Sequence, residues 1–330
     1  MSKLNRRQFQ TLGAAALGFP AVVRAQDKYP NRPVRVVVPF APGGGTDTLG
    51  RAICQKLTES LGQPFVIDNK PGASGIIGTD AVAKAAPDGY TLNFNISTAL
   101  LINQFLYNKL PYNPLKDLSM VYKAADGYTI LAVHPSLPVK TGTELMEYIK
   151  ANRGKLTYGS YGQGSFPHLA GAYLDHITNG GMQHAAYKGE APCVQDLLSG
   201  QIHMTWASAM NLKQHAATGK LKLIGVQGNK RLPTLPDLPT LPESGLKGDA
   251  FELVGFLAMA APAKTPMAIQ ELIAAEIRKA FADPAMKERI DTMGYGMVPD
   301  SSPERFLADY KRDTPKWEAL VKLSGVKLDI

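Results

Sequence analysis

Val34-Arg35-Val36-Val37-Val38-Pro39-Phe40-Ala41-Pro42-Gly43-Gly44-Gly45-Thr46-Asp47 is the stretch on which the fold turns. The valine run is β-branched and bounded by Pro33 and Pro39, which reads as a strand buried on both faces and therefore parallel. Three glycines then open a helix whose Leu49, Ile53 and Leu57 recur every four residues and define a buried stripe. Strand, glycine-rich turn and helix in this order place free backbone N–H groups at a helix start. The helix dipole behind them favours an anion.

Working outward, the same unit repeats. Phe65-Val66-Ile67 and Tyr90 to Phe94 read as strands, separated by a small-residue helix from Ser74 to Ala86 that stops at Pro87-Asp88-Gly89. Thr129 to Val133, Leu156 to Tyr158, His184 to Ala186, His203 to Trp206 and Leu221 to Val226 read as a second set of strands. Helices are expected over Thr141 to Ala151 (with a capping box at Thr141 and Glu144), Pro167 to Ile177, Pro192 to Leu198 and Asn211 to Thr218. Arg231 to Pro242, with four prolines, reads as an extended surface connection. Phe251 to Ala260 is a long apolar strand, and three amphipathic helices follow at Pro266–Ala282, Pro284–Met293 and Pro303–Leu323.

Strands alternating with helices give an α/β chain with mostly parallel sheets flanked by helices. Two such units followed by a return segment predict two lobes. Lobe one spans 26–125, lobe two 126–250, and 251–330 returns to lobe one. Crossings fall near Ala124–Ile130 and Phe251–Gly255. Two crossings form a hinge that closes on a ligand held at the carboxyl ends of the strands.

Residues 1–25 read as an export signal to be set apart from the fold. Arg6-Arg7 precede Phe9 and an apolar stretch from Leu12 to Val23, and Val23-Arg24-Ala25 suits cleavage before Gln26. Asn5 to Phe9 has the look of a twin-arginine signal. The predicted destination is the periplasm. The signal carries Lys3, Arg6, Arg7 and Arg24 and no acid, so the net charge of +8 falls by four to +4 without it. That excess suits small anions, and with no basic stripe interleaved with aromatics it argues against nucleic acid. No apolar run approaches the roughly 18–20 residues of a membrane span. Cys54 and Cys193 fall in predicted helices of different lobes, where buried free thiols are expected.

Four strand-to-helix loops carry the candidate site: Pro39 to Asp47, Ser97-Thr98, Ser160 to Ser165, and Tyr187-Lys188-Gly189. Rich in glycine and hydroxyls and drawn from both lobes, they can hold the two ends of a dicarboxylate or similar anion. Each loop taken singly is also a plain turn, and Ser74 and Thr141 read as helix caps. His168 reads either as a ligand contact or as a helix-start histidine bonded to nearby backbone. Tyr187 and Trp206 read as core or as flanks of a cleft. The phosphate-binding loop is excluded because Arg51-Ala52 follow Gly50, and no G-x-G-x-x-G follows the first strand. Six dispersed histidines give no metal motif. No catalytic residue, metal or cofactor is expected.

At these loops the chain resembles the Bug-type extracytoplasmic receptors of tripartite tricarboxylate transporters. The matching strings run in order from Tyr29-Pro30-Asn31-Arg32-Pro33-Val34 and Val38 to Asp47 through Asn69-Lys70-Pro71-Gly72-Ala73, Pro87 to Leu92 and Leu110-Pro111-Tyr112. They continue with Ser160 to Ser165, Pro167-His168-Leu169, Tyr187-Lys188-Gly189, Leu238 to Leu241 and Glu243-Ser244-Gly245. The resemblance implies a two-lobed periplasmic receptor closing on a small carboxylate, held largely by backbone amides, hydroxyls and water. It assigns Phe40, Gly44, Thr46, Asp47, Ser97 and Thr98 to one side of the site. Ser160, Gly164, Ser165, His168, Tyr187 and Lys188 form the other. The implied partners are membrane transporter subunits, and the implied state is a monomer.

Two departures stand out. Relatives often have a glycine where this chain has Glu190, and many have an acid where it has Ala207-Ser208. With Trp206 and Ala207 at the site, the expected ligand is a flatter, more apolar or aromatic carboxylate. The alternatives are a periplasmic hydrolase using Ser160 or Ser165 with His168, and a receptor that signals to a sensor protein.

Overall fold

The structure, a computed structural model, describes residues 29–329, so the export signal expected over 1–25 lies outside the described residues. In chain order, β1 (Val34–Val38), α1 (Gly45–Leu61), β2 (Phe65–Asn69), α2 (Ile76–Ala83), β3 (Thr91–Ile96) and β4 (Leu118–Gly127) come first. Then follow β5 (Ile130–Val133), α3 (Gly142–Ala151), β6 (Thr157–Ser160), α4 (Phe166–Thr178), β7 (Gln183–Ala186), α5 (Glu190–Leu198), β8 (Met204–Ala207), α6 (Ala209–Ala217) and β9 (Lys222–Val226). The return comprises β10 (Gly255–Pro262), α7 (Met267–Phe281), α8 (Pro284–Met293), β11 (Gly296–Met297) and α9 (Pro303–Ser324).

Two sheets result, in the orders β11-β4-β10-β3-β1-β2 and β7-β6-β8-β5-β9. The chain leaves the first sheet after Gly127, enters the second at Ile130, and rejoins the first at Gly255. Strands joined by crossover helices run parallel, as the sequence predicts for β1, β2 and β3 and for β6, β7 and β8. The strands at the crossings differ: β4, β5 and β10 run antiparallel to their neighbours. A strand that carries the chain out of a lobe and one that brings it back must point opposite ways, so both sheets are mixed.

Val34, Val36, Val37 and Val38 are wholly buried, which is what a strand covered on both faces requires. Leu49, Ile53 and Leu57 seat α1 on the sheet, and the helix ends at Gly62, whose φ of 70° suits a residue without Cβ. Thr141 caps α3 by accepting from the Glu144 N–H at 3.1 Å. Cys54 and Cys193 are both buried and free. Among the described residues no helix is long and apolar enough to cross a membrane.

Two expectations are corrected, and one strand, β4, was not foreseen. β4 went unread because Leu118, Met120, Val121, Tyr122, Ala124 and Ala125 are buried on both faces, so no alternation marks the strand. Ser74 caps no helix: it sits in a turn with φ 51°, and its hydroxyl donates to the Gln163 carbonyl of the other lobe. The proline segment is a series of turns rather than an extended connection. Leu232 and Leu241 anchor it in the core, and Val226 exchanges backbone bonds with Pro239 and Leu241 (2.8 and 2.7 Å), covering the open edge of β9.

Gly171 lets α4 lie flat on β6. A Cβ there would run into the ring edge of Tyr158 and stand 3.0 Å from its Cγ. Gly171→Ala is expected to destabilise the protein by about 1–3 kcal/mol through overpacking. A lower urea midpoint with an unchanged slope is the expected reading; an unchanged midpoint would mean that helix and strand can separate at no cost.

Candidate ligand-binding cleft

The lobes meet around a cleft fed by the ends of strands from both sheets. Phe40, Ala41 and Gly44 to Asp47 follow β1, and Ser97 follows β3. Tyr161 follows β6, and Gly189 and Glu190 follow β7. Gly127, Thr129 and Gly255 to Leu257 come from the two crossings, while Phe166 and Tyr295 close the walls. A second, outer recess shares Phe40 and Tyr161 with the cleft and adds Ser74, Tyr107, Gly162, Gln163, Tyr187 and Lys188.

Three helices point uncapped N-termini toward the cleft. The Gly44, Ser165 and Gly189 positions at the starts of α1, α4 and α5 offer no side-chain cap. In α1 the first helical bond runs from Thr48 to Gly44 at 3.0 Å, leaving the N–H groups of Gly45, Thr46 and Asp47 as free donors. Buried hydroxyls add to them. Thr129 Oγ1, at the cleft, has no hydrogen-bond partner among the described residues, nor have Thr98 Oγ1 and Ser165 Oγ, buried behind the lining. Of these three, only Thr129 can offer its hydroxyl to the cleft itself.

Among the described residues no lysine, arginine or histidine lines the cleft. Of its two carboxylates, Asp47 is spent on the loop itself. It accepts from the Gly43 N–H at 3.1 Å, from Arg51 Nε at 3.0 Å and from Asn69 Nδ2 at 2.9 Å. Burial alone would raise the Asp47 carboxyl, but the bonds from Arg51, Asn69 and Gly43 outweigh it and hold it below the ordinary carboxylate range. Asp47 therefore fixes the shape of the glycine loop and leaves the backbone N–H groups at the start of α1 facing the cleft.

Of the residues named from sequence, Phe40, Gly44, Thr46, Asp47 and Ser97 line the cleft together. Tyr187 and Lys188 line the outer recess, where the Tyr187 hydroxyl donates to Asp196 at 2.7 Å. The others stand behind the lining. Thr98 is buried in the turn after Ser97, and Ser165 lies beside Phe166, which does reach the cleft. Gly164 donates its N–H to His168 Nδ1 at 2.9 Å, so His168 is the backbone-bonded, helix-start histidine of the two readings.

Ser160 is fully buried and pairs with His184 Nε2 at 2.7 Å instead of His168. The serine–His168 pair that a hydrolase would use is absent from this arrangement. Trp206 and Ala207 are fully buried in β8, because Trp206 faces the core opposite Leu131 and not the opening. The aromatic-acid expectation that leaned on Trp206 loses its support.

Sequence reading missed Thr129, Tyr161, Phe256 and Tyr295. Tyr161 sat inside a loop already singled out, and Thr129 inside a predicted crossing; both signals were available. Tyr295 follows α8, far along the chain, and only tertiary structure brings it against Gly45.

Comparison with known proteins fits this geometry. The profile described as tripartite tricarboxylate transporter family receptor matches residues 49–325. The structure of the periplasmic binding protein BugD is 35% identical, covers 92% of this chain and 100% of its own, and superposes with a TM-score of 0.85. Rpa4515 of R. palustris, solved with adipate, is 30% identical over 92% of this chain and 100% of its own, with a TM-score of 0.85. MatC (Rpa3494) from Rhodopseudomonas palustris, solved with bound malate, is 29% identical over 89% of this chain and 100% of its own, with a TM-score of 0.83.

Proposed function

This chain belongs to the tripartite tricarboxylate transporter receptor family, and from that premise we propose that it is an exported periplasmic receptor. Its two lobes close on one small carboxylate and present it to membrane transporter subunits. The observation that carries this reading is a cleft lined from both lobes by uncapped helix N-termini and, among the described residues, by no cationic side chain. Backbone N–H groups there replace the water around a carboxylate and keep their orientation as the lobes move.

The hinge follows from the two crossings at Thr129 and Gly255. Closure is supported by a contact that exists only when the lobes meet, the Ser74 hydroxyl on the Gln163 carbonyl. A ligand bridging both lobes adds its own contacts to this one and shifts the population toward the closed form. Relatives solved with adipate and malate support a carboxylate as that ligand. The site residues are Phe40, Gly44, Thr46, Asp47 and Ser97 on one side, with Tyr161, Phe166 and the start of α5 on the other.

The melting temperature against a panel of mono-, di- and aromatic carboxylates tests the reading. A ligand at about 100 times its dissociation constant adds roughly 2.7 kcal/mol, an easily seen shift. A clear shift with one class and recovery of the ligand unchanged is the expected result. No shift with any carboxylate would overturn the reading.

A further inference from the structure

Glu190 places a carboxylate in the cleft that no cationic side chain among the described residues balances. It occupies the first position of α5, and its Oε1 accepts from the Ser208 N–H at 2.9 Å, from the Ser208 hydroxyl and from Asn211 Nδ2 at 2.6 Å. These donors belong to the start of α6. The chain thus fills the N-terminus of α6 with its own anion, a favourable place for a negative charge. Oε2 takes no hydrogen bond from the described residues, and Glu190 forms no ion pair among them, in contrast to Asp47 with Arg51.

The surroundings point the same way. Tyr161, which lines the cleft, has no hydrogen-bond partner for its hydroxyl among the described residues. Burial first, and then the Glu190 carboxylate, push the phenols of Tyr161 and Tyr295 upward, so both remain protonated donors. Thr129 also lines the cleft, and its buried Oγ1 is unpartnered. The open donors of α1 and α4 remain for one carboxylate. A second carboxylate directed at α5 would instead meet Glu190.

Resting on the receptor reading above, we propose that Glu190 selects a monocarboxylate whose other end carries an N–H donor, an amide or an ammonium group, over the corresponding dicarboxylate. The free Oε2 accepts from that donor, while the carboxylate end sits on the backbone amides of α1. A diacid of the same length loses that bond and adds like-charge repulsion.

Isosteric pairs test this by calorimetry: succinate against succinamate and adipate against adipamate, with 6-aminohexanoate as the ammonium probe. The amide or amine is expected to bind at least about ten-fold tighter than its diacid. Glu190→Gln keeps an oxygen for Ser208 and Asn211 and is expected to abolish or invert the preference. Diacids binding as tightly as their monoamides, or an unchanged ratio in Glu190→Gln, would overturn the proposal while leaving the receptor standing. Binding of no probe from either class, with no shift across the wider carboxylate panel, would remove the receptor reading and this proposal with it. Should Glu190→Gln fail to fold, the ratios for the unaltered protein decide.

Discussion

Gly45→Ala is expected to lose carboxylate binding, whereas Gly44→Ala weakens it without touching the fold. A Cβ on Gly45 would run into the hydroxyl of Tyr295 and stand 2.8 Å from its Cζ. Tyr295 is only 7% exposed and packs in the lobe-one core with Met293 and Tyr122, so its ring cannot simply swing aside. Either the ring or the start of α1 must move, at an overpacking cost of about 1–3 kcal/mol. Both movements misplace the N–H groups proposed to hold the anion. Gly44 differs: a Cβ there meets only the Ala41 carbonyl oxygen at 4.0 Å, and its φ of −77° suits any residue. Its methyl would project where Gly44 lines the cleft, and one added carbon in a fitted pocket costs about ten-fold or more in affinity. Titration calorimetry and melting of the two free variants separate these effects. Unchanged affinity in both would move the site away from the β1–α1 loop.

The contrast shows which parts of the molecule were legible in the sequence. The β1–α1 loop was readable because its demands are local: a buried valine strand, a glycine turn, and a four-residue stripe that fixes where the helix begins. The first crossing was readable as a place, since the β5 strand begins a new unit, but β4 before it carried no pattern. A central strand buried on both faces cannot announce itself by alternation, and its lysine and aspartate at 123 and 126 pair with each other near the rim. The cleft was half legible. Residues at the carboxyl ends of β1 and β3 follow from topology. Tyr295 and Phe256 depend on how the return segment folds back. Trp206 was misplaced because the period of a strand tells which residues share a face, not which face is the core.

Acid is expected to unfold the protein in a window set by two stacked imidazoles behind the Ser160–Ser165 loop. His168 and His184 lie 3.7 Å apart with rings 4° from parallel, and Tyr158 stacks on His184 at 5.0 Å. Burial lowers His168 to about 4, and burial followed by the neighbouring His168 charge lowers His184 to about 3. Both folded values lie below the unfolded value of about 6.5. The unfolded chain therefore binds more protons between them, and stability falls as pH drops. The stabilisation is fully present above about pH 6.5, falls progressively below it, and is fully lost once the solution has passed down through the two folded values. For His168, only 9% exposed, the loss amounts to about 3 kcal/mol once it is charged. Asp47, held below the ordinary range, loses its contribution lower still, beneath about pH 4. The two windows separate in a melting series. His168→Asn can offer its carbonyl oxygen to the Gly164 N–H, and the side-chain amide of His184→Gln can pair with the Ser160 hydroxyl as the ring does. The double variant gives up the ring stack and starts less stable at neutral pH, but it should lose little more between about pH 6.5 and 4.5. An equally steep fall in that double variant would place the acid-sensitive group elsewhere.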